Sequence, residues 1–89
     1  MSDDVLEQVT ALIDADPRSG QSLLLYALVK ALSTAQGHYL YTLKKLRELQ
    51  PAQRLLAYAL MEQMAQGLNE TQAWRDAVRR MDEAMSRKY

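Results

Sequence analysis

The chain has no cysteine, no phenylalanine, a single histidine and a single tryptophan, and its eleven basic residues cancel its eleven acidic ones. Each shortage excludes something. Without cysteine there is no disulfide to staple a small domain, no thiolate nucleophile and no thiolate metal ligand. One histidine, His38, leaves only carboxylates to complete a metal site, so neither metal nor cofactor is expected. A nucleophile with its base is equally hard to assemble. Ser19, Ser22, Ser33 and Thr34 lie in no recognisable strained turn, and the carboxylates fall at helix ends and on outward faces rather than in apolar settings. No catalytic residue is assigned, and the chain is not expected to be an enzyme. Zero net charge supplies no bulk attraction to nucleic acid or to anionic lipid. Proline is scarce too: Pro17 and Pro51 are the only two, and nothing between them interrupts a helix in this way.

What is present is a chain of 89 residues, 48% hydrophobic and 25% charged, which suits one globular domain over residues 1–89. A chain of this length buries a small core, and oligomerisation is a common supplement. The start, MSDDVLEQ, is acidic where an export signal needs a basic segment. The apolar run at residues 23–29 is far short of the roughly 20 residues that cross a bilayer. The expectation is a cytoplasmic protein with no membrane association.

The apolar pattern has the helical period throughout. Leu25, Leu28, Leu32, Ala35, Tyr39, Leu43 and Leu46 recur at spacings of three and four, which predicts one long central helix over about residues 22–49. At about 1.5 Å per residue it would be roughly 40 Å long. Its weak point is Gly37, and a kink or break at Gln36, Gly37 and His38 is the alternative. A first helix precedes it, capped by Ser2, with Asp3 and Asp4 in its opening turn and Val5, Val9, Leu12 and Ile13 inward. Asp14 and Asp16 sit at the unfavourable end of that helix's dipole and are expected to be solvated. Pro17 stops the helix, and Ser19 or Asp16 is placed to cap the next.

Gln50 and Pro51 open a third helix, proline standing at its first position. Its expected inner face is Leu56, Ala57, Leu60, Met61, Met64 and Leu68, with Arg54, Glu62, Gln63 and Gln66 outward. Gly67 is a C-terminal cap. Asn69 with Gln72 then reads as a capping box for a fourth helix carrying Trp74, Ala77, Val78, Met81 and Met85 inward. Along its outer face, Asp76 with Arg80, Arg79 with Glu83 and Glu83 with Arg87 are spaced for ion pairs. The fold class is therefore all-α, a small four-helix bundle with one long central helix.

Four features bear on function. Residues 23–29 are apolar all round, and a helix with no polar face has neighbours on several sides. Leu24, Leu25, Leu28 and Leu32 are the candidate interface, a surface that a second copy would share about a two-fold axis. A basic and aromatic group comprises His38, Tyr41, Lys44, Lys45 and Arg47, beside Tyr39. Such residue types can hold phosphates and stack bases, but they also describe the solvated end of a helix with the acidic first helix as an electrostatic neighbour. Glycine and asparagine between the last two helices fit a helix-turn-helix, against which stand Asp76 and Gln63 where that motif needs an apolar and a small residue. Met61, Met64, Met81 and Met85 suit either a core or an adaptable groove. Five tyrosines and one tryptophan give every ring a polar end to satisfy, which favours half-buried positions and interfaces. The expected function is a non-enzymatic protein–protein interaction module, a homodimer or an adaptor for another protein. The alternative is a nucleic-acid-binding regulator using Lys44, Lys45 and Arg47.

Overall fold

The computed structural model describes residues 4–33 and 43–87. Four α-helices follow one another: α1 at Val5–Ala15, α2 at Gly20–Leu32, α3 at Pro51–Ala65 and α4 at Gln72–Ser86. Two 3₁₀ segments, Leu43–Glu48 and Leu68–Glu70, precede α3 and α4. The architecture is an all-α four-helix bundle, as the helical periodicity predicts.

Local chemistry sets most of the ends. Asp4 caps α1, its carboxylate accepting from the Glu7 N–H at 3.3 Å. Ser19 caps α2 through the Ser22 N–H at 3.1 Å. At the end of α3, Gly67 takes φ +81°, a left-handed conformation that costs glycine little and other residues more. Thr71, not Asn69, caps α4 through the Trp74 N–H at 3.2 Å. Asn69 serves another helix: its amide donates to the Leu32 carbonyl at the end of α2, at 2.7 Å.

The long helix expected over residues 22–49 does not form. The α-helix stops at Leu32, and residues 43–48 are 3₁₀. The side-chain amide of Gln21 donates to the Glu48 carbonyl at 3.1 Å and accepts from the Gln50 N–H at 2.8 Å. The two ends of the expected helix are therefore neighbours, whereas a continuous helix would hold them roughly 40 Å apart. The suspected break at Gln36, Gly37 and His38 lies outside the described residues.

One core joins the four helices. Leu6, Val9 and Ile13 of α1 meet Leu25, Leu28 and Val29 of α2, Ala57 and Leu60 of α3, and Trp74, Ala77, Met81 and Ala84 of α4, with Leu49 closing it from the end of the 3₁₀ segment. α1 packs most extensively on α4, and α2 touches the other three helices and the 3₁₀ segment. Hydrogen bonds tie buried and half-buried polar groups of the helices together. The Thr10 hydroxyl donates to the Leu6 carbonyl at 2.7 Å, and the Trp74 indole N–H donates to Ser33 Oγ at 2.8 Å. Tyr26 donates to Asp82 at 2.5 Å, and Lys30 pairs with the same carboxylate at 3.2 Å.

Candidate interaction surface

Most of the apolar surplus of α2 is taken up within the chain, and Leu23 is left 47% exposed. Leu25 and Leu28 are 0% and 3% exposed in the core, while Leu24 and Leu32 are half-buried against it. Of the four residues expected at an interface, Leu25 and Leu28 therefore lie in the core, and sharing them with a second molecule would require opening it. The premise that this helix has neighbours on several sides holds. Those neighbours are α1, α3, α4 and the 3₁₀ segment.

Among the described residues the exposed large apolar side chains are Leu23 on α2, Leu55, Tyr58 and Met64 on α3, and Leu68 just beyond it, and the two most exposed, Leu55 and Tyr58, are neighbours on α3. Leu55 is 68% exposed and Tyr58, one turn further on, is 49% exposed. They belong to a stripe of exposed positions, Pro51, Leu55, Tyr58, Glu62 and Ala65, spaced four, three, four and three along the helix. Sequence reasoning missed it, although residues 55–61 form an uninterrupted apolar run as long as residues 23–29. The same argument, that an all-round apolar helix needs neighbours on all sides, applied to both.

Basic residues border this stripe at its N-terminal end. A shallow cleft between the 3₁₀ segment and α3 is lined by Leu46, Arg47, Arg54 and Tyr58. Arg54 is fixed there by its Nε, which donates to the Leu46 carbonyl at 3.1 Å. Lys44 and Arg47 are exposed and Lys45 half-buried. His38 and Tyr41 lie outside the described residues. Among the described residues, Lys44, Lys45, Arg47 and Arg54 make no ion pair, whereas Lys30, Arg79, Arg80 and Arg87 each have one.

Among the described residues no ion pair joins the acidic first helix to Lys44, Lys45, Arg47 or Arg54; two of its carboxylates reach α4, Glu7 meeting Arg80 at 3.4 Å and Asp14 meeting Arg87 at 2.9 Å. Asp14 is both paired and exposed to solvent. The same two arginines reach α1 in place of the pairs expected along α4, where Arg79 bonds back to Asp76 at 3.3 Å. Met81 is core and Met61 and Met85 pack against it, while Met64 is partly exposed near the end of α3. Among the described aromatics, Trp74 is a core residue rather than a half-buried one.

Among the described residues, no three His, Cys, Asp or Glu side chains converge to hold a metal ion, and no helix is long and apolar enough to cross a membrane. No family model, curated protein or solved structure matches this chain.

Proposed function

We propose that the protein is a non-enzymatic helical interaction module that self-associates, as a homodimer, through the outer face of α3. The observation that carries this reading is the exposure of Leu55 and Tyr58 side by side on a helix that buries Ala57 and Leu60 in the core. Covering two such side chains removes apolar area from water at about 25 cal/mol per Å², and a two-fold arrangement doubles the gain. Sedimentation equilibrium over a wide concentration range tests it. The wild type is expected to show a monomer–dimer equilibrium, and Leu55→Asp to sediment as a folded monomer. Leu28→Asp, placed in the core, is expected to unfold the chain instead. A wild type that stays monomeric at every concentration overturns the proposal. The cytoplasmic location expected from the sequence belongs to the same reading.

The second reading, a nucleic-acid-binding regulator, is favoured by the clustering of Lys44, Lys45, Arg47 and Arg54 without acidic partners and beside the Tyr58 ring. It predicts binding to labelled DNA or RNA that weakens steeply with salt and is lost when those four are neutralised. The side chain of Leu55 favours the first reading, since an aliphatic side chain offers a phosphate backbone nothing while it completes a protein interface.

A further inference from the structure

The charges on and beside the α3 stripe are in the wrong places for α3 itself. Arg54 lies in the first turn, with Arg47 next to it, and Glu62 lies in the last turn, followed by Glu70. A helix dipole favours the reverse, acids at the N-terminus and bases at the C-terminus. No acid occupies the first turn and no base the last. None of Arg47, Arg54, Glu62 and Glu70 is in an ion pair among the described residues. The apolar pair Leu55 and Tyr58 lies between the basic and the acidic end.

This order, basic then apolar then acidic, is complementary to itself when reversed. From it we infer that the α3 helices of two copies pack antiparallel, with Leu55 of each against the partner's Tyr58 and Glu62 of each over the first turn of the partner's α3, beside the partner's Arg54. The exposed stripe repeats at four and three, the spacing that lets two helices meet along a continuous seam. Leu55 opposite Tyr58 then places Glu62 opposite Pro51, whose turn carries free N–H groups and Arg54. Arg54 and Glu62 thus each meet an opposite charge and the favourable end of a neighbouring dipole. Arg54 is already positioned by its bond to the Leu46 carbonyl, which leaves its terminal nitrogens for the partner. A parallel pairing would instead set Arg54 against Arg54 and Glu62 against Glu62.

This inference rests on self-association through α3, and its test separates the two. Arg54→Glu alone sets carboxylate against carboxylate at both ends of the seam, and Glu62→Arg alone sets cation against cation. Each single variant is expected to dimerise about tenfold more weakly than wild type, the effect of two modest like-charge contacts. Mixing the two single variants restores opposite charges at both ends, so a heterodimer of near wild-type affinity is expected, as is a homodimer of the double variant R54E/E62R. Circular dichroism establishes that each variant is folded, and sedimentation and native mass spectrometry read the species. If the wild type dimerises and Leu55→Asp abolishes it, but the charge variants neither weaken nor rescue it, the antiparallel register is overturned and docking through α3 stands. If the wild type does not self-associate, both fall.

Discussion

The Ser33 hydroxyl joins two helices. It donates to the Val29 carbonyl at 2.6 Å inside the last turn of α2, and accepts the indole N–H of Trp74 from α4 at 2.8 Å. Trp74 is buried, so its N–H depends on that hydroxyl for a partner within the protein. Ser33→Ala should therefore cost about 1–3 kcal/mol, the penalty of a buried donor left unpaired, although it removes a single oxygen. Urea unfolding followed by the fluorescence of the lone tryptophan measures it, and an unchanged midpoint would mean that the indole finds another acceptor. The sequence carried half of this. It marked Trp74 as inward and every ring as having a polar end to satisfy, but nothing in the pattern says which hydroxyl lies opposite. Asn69 shows the same limit from the other side. Its place after a glycine suits a helix cap, yet its amide is spent on the Leu32 carbonyl, a partner 37 positions away in the chain.

Among the elements, α1, α3 and α4 were legible because caps and prolines punctuate them and the apolar period runs between. The register of α1 was less so: Leu6 and Thr10 are buried while Val5 and Leu12 are half-covered, because α4 approaches from a direction the stripe alone does not fix. The central segment misled for a physical reason. A stripe at spacings of three and four stays in phase over residues 22–49, and periodicity cannot distinguish one helix from two pieces that each bury an apolar edge. A signal was available in Leu43, Leu46 and Leu49, whose uniform spacing of three is the period of a 3₁₀ helix. Leu46 and Leu49 do turn inward from that segment. The other cue was Gln21, whose side chain secures the turn into α3, and no local pattern reveals a contact between residues 21 and 50. A helix ending at Leu32 lies within the bundle, which buries Leu25, Leu28 and Val29, leaves Leu23 exposed, and leaves Leu55 and Tyr58 of α3 more exposed still.

For the whole molecule, the dimer proposed through α3 would couple stability to assembly. An 89-residue chain has a modest core, and an exposed leucine and tyrosine on α3 leave apolar burial incomplete in the isolated protomer. Dimerisation of the folded protomer would add stability by mass action. Raising the protein from its dimer dissociation constant to a hundredfold above would add about 1 kcal/mol per protomer, or roughly 6 °C in melting temperature for a domain of this size. The wild-type Tm should therefore climb with concentration, and that of Leu55→Asp should not. The variant's Tm at high dilution should nevertheless match the wild type's, because Leu55 contributes little to the intramolecular core. A calorimetric series at several concentrations checks both parts together. A wild-type Tm independent of concentration would place the stability entirely in the protomer, and the exposed face of α3 would then have to be covered by a different molecule or by none. A Leu55→Asp variant that melts low even when dilute would show that this side chain supports the fold itself, which its 68% exposure argues against.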